Sequence, residues 1–340
     1  MAQHFDDLTF GEKKRLCDHI LAQQVSIFAG SGISLDSSGS APIMMSAGNL
    51  RSNIIQLNDL PATASLSQAY SMMDESQVKT LITDHYTCTK PGPTVLTLAD
   101  LPWKRVYTLN VDDAFEAAFK SICYQREFSE ETLEVRNFDE SFSNLASDVR
   151  CSIVHLHGSV KLPMSKYVFA ATEYAKLMSR PNSWMVTLTQ LIRTETFIIL
   201  GTSLDEIDVA YYLENRNQSS TRADVPISIL VEPFPNKLTE RLCETHQFCL
   251  FEGTALNFLE RLKSIDSRLK SPWIDRTSDG LAGLGLTESQ RLRFAASFQP
   301  IPHSPEETPS PARFLLGAEL TWSMLAAQGN RVWPKCLLTD

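Results

Sequence analysis

Four short segments hold the side chains that could do chemistry. They are Ala29-Gly30-Ser31-Gly32-Ile33-Ser34, Leu109-Asn110-Val111-Asp112, His155-Leu156-His157-Gly158 and Leu200-Gly201-Thr202-Ser203. A glycine turn lets backbone N–H groups approach phosphate oxygens because no Cβ intervenes, and Ser31 and Ser34 add hydroxyl donors. Asn110 carries an amide that both donates and accepts, which suits a water or a sugar hydroxyl. Asp112, two residues on, can accept from a carboxamide. Near neutral pH the imidazole of His157 can take a proton from a sugar hydroxyl or a water. Gly201, Thr202 and Ser203 offer a second set of donors for phosphate or ribose. Glu232, behind another apolar run, could accept from the two ribose hydroxyls of an adenosine half. In this order the segments describe a pocket that binds a dinucleotide and attacks its ribose.

Each segment also has a plainer reading. Gly30 and Gly32 could simply make a tight strand-to-helix turn. Asp112 or Asp113 could cap the helix that follows. His157 could be a satisfied, partly buried histidine. His155 is expected to point away from His157 and to be structural. Ser203 with Glu206 three residues later resembles a capping box. Asp205 and Asp208 could only complement a helix dipole.

The elements that must position these residues follow from the pattern of apolar runs. Residues 11–24 read as an amphipathic helix with Leu16, Ile20 and Leu21 on one face. Val25–Phe28, Val106–Leu109, Ser152–Leu156, Thr196–Leu200 and Ile227–Val231 read as buried strands, with a short sixth at Phe248–Phe251. Residues 47–60 and 64–86 read as mostly helical, and Asp112–Lys120 as a helix start with an acidic first turn. Gly39, Pro42 and the Ser37-Ser38 pair predict a loop before any long helix. Alternating apolar runs and helices predict an α/β fold: a Rossmann-like, doubly wound, mainly parallel sheet with helices on both faces and a helical insertion. Every candidate segment then falls at the carboxyl end of a strand, the edge where such sheets bind ligands.

The bulk numbers narrow the class. The chain has 340 residues, 43% hydrophobic and 21% charged, an ordinary globular composition. A formal net charge of −9 disfavours a broad phosphate-binding surface, so direct nucleic-acid binding is not expected. Seven cysteines without regular spacing and without a C-x-x-C pair predict neither a disulfide framework nor a zinc site. No signal peptide and no membrane-spanning run is visible, so a cytoplasmic protein is expected. Five prolines between Ser297 and Arg313 read as a linker. The expected organisation is a catalytic domain over 1–270, a linker over 271–313, and the start of a further domain over 314–340.

The order Gly30-Ser31-Gly32-Ile33-Ser34, Asn110-Val111-Asp112, His157-Gly158, Gly201-Thr202-Ser203 resembles the sirtuin family over roughly residues 20–265. The resemblance implies that Ala29, Gly30, Ser31, Gly32 and Ser34 form an NAD-binding loop. It implies that Asn110 positions ribose and water, that Asp112 holds the nicotinamide carboxamide, and that His157 is the catalytic histidine. Gly201, Thr202 and Ser203 match the family's phosphate and ribose loop. Two departures stand out. Residues 159–200 contain no cysteine, so the zinc module of deacetylating sirtuins is missing, and no metal is expected. Pro42-Ile43-Met44-Met45 replaces the family's Asp-Phe-Arg segment. The remaining pocket looks like the bacterial sirtuin-like NAD hydrolases of anti-phage defence. That likeness implies NAD+ as the substrate, an abortive-infection role, a homo-oligomer, and control by a C-terminal STAND-like sensor or a phage-derived activator. An NAD-dependent protein deacylase and a non-catalytic NAD or ADP-ribose sensor are the alternatives.

Overall fold

The computed structural model describes residues 2–39, 44, 46–126, 132–144, 149–161, 167–179, 181–202, 212–213 and 227–270. The chain divides into two compact units, Met1–Leu269 and Lys270–Asp340. The expected linker over 271–313 and the segment over 314–340 lie outside the described residues.

Seven strands form one sheet: β1 (Val25–Ala29), β2 (Val106–Thr108), β3 (Leu133–Asn137), β4 (Cys151–His155), β5 (Thr196–Leu200), β6 (Ser228–Glu232) and β7 (Phe248–Glu252). Their order is β3-β4-β2-β1-β5-β6-β7. Every neighbouring pair is parallel. From β1 the chain passes to β2, then to β3 at the edge and back to β4 between them, before crossing to β5 and continuing outward on the other side. The reversal lies between β1 and β5, and in a doubly wound sheet the ligand crevice opens at such a switch point.

The helices are α1 (Phe10–Leu21), α2 (Ala47–Leu57), α3 (Leu66–Tyr70), α4 (Glu75–Tyr86), α5 (Pro93–Ala99), α6 (Ala114–Arg126), α7 (Ala171–Ser179), α8 (Ser183–Thr194), α9 (Lys237–His246) and α10 (Ala255–Ile265). Their starts are written locally. Reciprocal capping boxes open α1 (Thr9 with Glu12), α3 (Ser65 with Gln68), α4 (Asp74 with Gln77) and α10 (Thr254 with Asn257).

Helices cover both faces. Val154 of β4 packs in one core with Phe28, Tyr107, Phe197 and the α8 residues Trp184, Met185, Leu188 and Ile192. The next residue, His155, turns to the opposite face and meets Glu116 of α6. On that side α6 packs on α5, α5 on α10, and α10 on α1. The helical insertion α2–α4 has its own core of Leu50, Ile54, Tyr70, Leu81, Ile82 and Tyr86, which closes on Val111 and Ala170. Among the described residues no helix is long and apolar enough to cross a membrane.

β1 and β5 approach unusually closely where they end. The Gly30 N–H donates to the Leu200 carbonyl at 2.9 Å, and the Gly32 N–H to the Gly201 carbonyl at 2.8 Å. A Cβ on Gly30 would stand 2.5 Å from the Thr202 Cβ. Gly201 has φ +64°, and a Cβ there would stand 2.7 Å from the Ile33 nitrogen. Gly201→Ala is therefore expected to cost about 1–3 kcal/mol through strain and overpacking. Gly48→Ala, in an open helical position whose nearest neighbour is 3.9 Å away, is expected to be neutral or slightly stabilising. Thermal unfolding of the two variants measures the contrast; equal melting temperatures would show that the turns do not interlock.

Candidate active site

The register brings the four candidate segments to one level. Ala29 pairs with Thr108 and with Leu200, and Thr108 pairs with His155, so these four residues form a row across four strands. Gly30 and Gly201 come one residue after that row, and Asn110 and His157 two residues after it. Across the edge the order is His157 beyond β4, Asn110 and Asp112 beyond β2, the 30–34 turn beyond β1, Gly201 and Thr202 beyond β5, and Glu232 at the end of β6. Asn110 and His157 thus follow adjacent strands, which lie about 4.8 Å apart, and Glu232 is four strands from β4.

Three of the candidate residues are linked by hydrogen bonds. Asn110 Nδ2 donates to Ser34 Oγ at 3.1 Å, and Ser34 Oγ donates to Asp112 Oδ1 at 3.0 Å. The same carboxylate oxygen accepts the Ala114 N–H at 3.1 Å, so Asp112 also caps α6. All three side chains are buried. Burial pushes the Asp112 carboxyl up to about 6, against the pull of the Ala114 N–H and the Ser34 hydroxyl. The neighbouring Asp113 is also buried but is compensated differently: Lys161 Nζ lies 2.8 Å from its Oδ2, and the Cys88 N–H donates to its Oδ1.

The two histidines face different helices. His155 is fully buried, with Nδ1 2.8 Å from the Asn110 carbonyl oxygen and Nε2 2.9 Å from Glu116 Oε1. His157 is buried with its ring edge-on to Tyr174 of α7, centroids 5.4 Å apart. Strand alternation by itself would put residues two apart on the same face. They separate because β4 ends at His155 and the chain bends through 156–157.

The Gly30 and Gly32 amides, expected to face phosphate, donate to the Leu200 and Gly201 carbonyls. Their missing Cβ atoms make room for the opposite turn. Ser31 is exposed, Ala29 is buried in β1, and Thr202 is buried against Gly30. Glu232 is half-buried and its Oε1 accepts the Phe234 N–H at 3.3 Å. Ser203, with Asp205, Glu206 and Asp208, lies outside the described residues.

Glu116, Lys161 and Tyr174 were not singled out in the sequence, although each touches a residue of the site or its immediate neighbour. Only the acidic first turn of α6 hinted at Glu116. A cavity of about 490 Å³, lined by Tyr70, Val78, Val160, Tyr167, Ala170 and Glu173 among others, opens between the helical insertion and the segment after β4. It adjoins the site, since the Val160 N–H donates to the carbonyl of Val111 at 2.8 Å. Among the described residues no group of three or more His, Cys, Asp or Glu is arranged to hold a metal ion.

Part of this chain matches a known family. Residues 104–251 match the SIR2-like domain. The match runs from β2 to β7 and includes Asn110, Asp112, His157, Gly201, Thr202, Ser203 and Glu232, while the turn at 29–34 precedes it. No curated protein matches the chain. Among solved structures, one from a study of the mechanism and regulation of Sir2 enzymes aligns at 13% identity over 76% of this chain and 98% of that one, with TM-score 0.42. A mutant Sir2 homologue in complex with ADP-ribose aligns at 15% identity over 76% and 98%, TM-score 0.45. A Sir2 homologue in complex with NAD aligns at 16% identity over 79% and 96%, TM-score 0.42.

The buried Asp112 makes a stability prediction. Its folded-state pKa of about 6 lies above the ordinary 3.8, so the fold disfavours the ionised form. The penalty is absent below about pH 4, grows through pH 4–6, and is complete above pH 6. It amounts to about 3 kcal/mol. Asp112→Asn is expected to remove it, so that urea unfolding shows the variant gaining on the native chain between about pH 4.5 and pH 7. Parallel pH profiles for the two proteins would show that the carboxyl is not desolvated.

Proposed function

We propose that this chain is an NAD+ hydrolase that cleaves the nicotinamide–ribose bond. The observation that carries the reading is the buried Asn110–Ser34–Asp112 chain at the carboxyl edge of a parallel sheet, with His157 following the adjacent strand. The SIR2-like match over residues 104–251 supports it. The dinucleotide would lie along the carboxyl edge, nicotinamide towards β2 and β4 and adenosine towards Glu232.

Asp112, ionised at neutral pH, would accept from the carboxamide N–H through the oxygen not used by Ser34 and Ala114. The N-glycosidic bond breaks with its electron pair leaving on the nicotinamide nitrogen, which neutralises that ring. Positive charge develops on the ribose as an oxocarbenium-like centre, as in other glycoside cleavages. Asn110 would hold a water near C1′, and His157 would take its proton as the C–O bond forms. The products are nicotinamide, ADP-ribose and a proton. Loss of the carboxamide grip on protonation predicts that kcat/KM falls as pH drops through about 6, the value to which burial raises Asp112.

Cleavage of this kind would exhaust a cell's NAD+, so the reading includes an effector held inactive until an infection signal. An abortive-infection role in anti-phage defence, a cytoplasmic site of action, a homo-oligomer and control through the residues after 270 complete the proposal. The missing cysteines over residues 159–200 favour hydrolysis over protein deacylation.

The test is chromatography of NAD+ incubated with the full chain, with and without a candidate activator, and with and without an acyl-lysine peptide. Peptide-independent release of nicotinamide is expected. Release only with peptide would indicate a deacylase, and tight binding of NAD+ without turnover a sensor. Asn110→Ala and His157→Ala are each expected to lower turnover by about 10²–10⁴ with the fold retained. Native rates in both variants would overturn the site assignment.

A further inference from the structure

His155 has two oxygen neighbours, a backbone carbonyl and a carboxyl group. The Asn110 carbonyl oxygen faces Nδ1 at 2.8 Å, and a Glu116 carboxylate oxygen faces Nε2 at 2.9 Å. A neutral imidazole has a single N–H and cannot satisfy both. The ring is 0% exposed, so water does not make up the difference. With Glu116 as a carboxylate, both contacts are made when both nitrogens carry protons, which makes His155 and Glu116 a buried ion pair. A histidine kept only for packing would be satisfied by one acceptor and one donor. We propose that Glu116 and His155 form a charged dyad that positions Asn110 for catalysis.

The inference rests on the hydrolase reading for its catalytic consequence, and on the geometry alone for the dyad. The bonded atom is the carbonyl of Asn110 itself, so the dyad fixes the 110–111 peptide plane. That plane sets the direction in which the Asn110 side chain leaves the backbone towards Ser34. Neither Glu116 nor His155 needs to touch the substrate; both are positioning residues.

Loss of one proton from the ring has a definite direction. The remaining proton goes to the stronger acceptor, and a carboxylate outcompetes a neutral carbonyl. Asn110 then loses its donor while Glu116 keeps one. The charges facing the ring are Glu116 on α6 and Asp112 on the preceding loop. On β3 the paired residue is Asn137, whose amide donates to Asp139. Beyond Glu116, Lys120 and the Lys161–Asp113 pair line a cavity of about 480 Å³ on the same side. Burial alone would push the imidazole down, but Glu116, the Asn110 carbonyl and Asp112 together hold it above its ordinary 6.5. Its stabilising contribution is therefore full below about pH 6.5 and is lost as pH rises through the raised value.

The variant Glu116→Gln separates positioning from mere structure. The amide introduced there can donate to Nε2, so a neutral ring keeps its proton on Nδ1 and its bond to Asn110 at every pH. In the native chain kcat is expected to fall as pH rises through the His155 titration. In Glu116→Gln that fall is expected to disappear, with plateau kcat within about threefold of native. His155→Phe is expected to lower kcat by about ten- to a hundredfold at all pH with KM little changed, the signature of a misplaced group. An unchanged alkaline fall in Glu116→Gln overturns the dyad.

A second measurement is independent of turnover. The Val111 amide nitrogen, covalently next to the Asn110 carbonyl, is expected to titrate with the His155 ring in ¹⁵N spectra of the native chain and to be flat in Glu116→Gln. A flat Val111 signal in the native chain overturns the dyad whatever the activity. Failure to release nicotinamide under any activation overturns the hydrolase reading instead, and leaves the amide titration to decide the dyad.

Discussion

The carboxyl edge of this sheet depends on how closely β1 and β5 come together at their ends. Two backbone hydrogen bonds, Gly30 to Leu200 and Gly32 to Gly201, close the gap that a doubly wound sheet leaves where its winding reverses. Side chains at these positions would hold the turns apart, because each virtual Cβ falls within 3 Å of the opposite backbone. The consequence reaches the chemistry directly. Ser34 follows the interlocked turn, and Ser34 is the hydroxyl that joins Asn110 to Asp112. A strand-level packing constraint thus sets the position of a side chain from which two functional groups, 76 and 78 residues away, take their orientation.

Two adjacent carboxylates show what the site does with burial. Asp113 meets an ammonium group at 2.8 Å. Asp112 accepts from a hydroxyl and a backbone N–H and feels His155 only through space, and these do not offset its desolvation. The difference is one of partner, since both side chains are buried. A desolvated carboxylate held by weak donors is poised to accept a further one. Perturbed groups of this kind concentrate where a protein does work, and the compensated neighbour makes the uncompensated one the more informative. Under the hydrolase reading, the missing donor is the carboxamide of the substrate.

The central strands were legible because they are buried on both faces and so read as continuous apolar runs. Thr196–Leu200 was read to its observed bounds, and β1, β2, β4, β6 and β7 to within a residue or so at either end. β3 was missed. It is an edge strand whose residues Leu133-Glu134-Val135-Arg136 are half-buried, and its Glu134–Arg136 ion pair gives it the look of a solvated loop. The helical insertion was legible as helix but not in its division into three pieces. The candidate residues are legible by type and order, and the register explains why the segments gather: each begins at or just past the same row, with Gly30 and Gly201 one position and Asn110 and His157 two positions beyond it. Their partners were not. Nothing in the local sequence ties Ser34 to Asp112, Lys161 to Asp113 or Glu116 to His155, because each pair is closed by the fold across dozens of residues. The interlock of the glycine turns is also not legible in the sequence, since close approach of another turn and close approach of a phosphate are written with the same residues.

The loop after β2 is tied to the end of β4 and the segment beyond it at three places around Asn110 and His157. The Val160 N–H donates to the Val111 carbonyl at 2.8 Å, Lys161 pairs with Asp113, and His155 holds the Asn110 carbonyl. Each tie joins a residue near His157 in sequence to Asn110 or a residue up to three positions after it. One backbone and two side-chain contacts thus hold the two segments to each other, and shifting one without the other would strain all three ties together. The flanking parts are less constrained in this sense. Val111 and Ala170 pack into the core of the α2–α4 insertion, and the cavity beside them is bounded by that insertion and by residues 167–173. Under the hydrolase reading, a protein that must stay silent until triggered has its catalytic pair already in register. Entry to the pocket, framed by the insertion, is the step that such an arrangement leaves open to control.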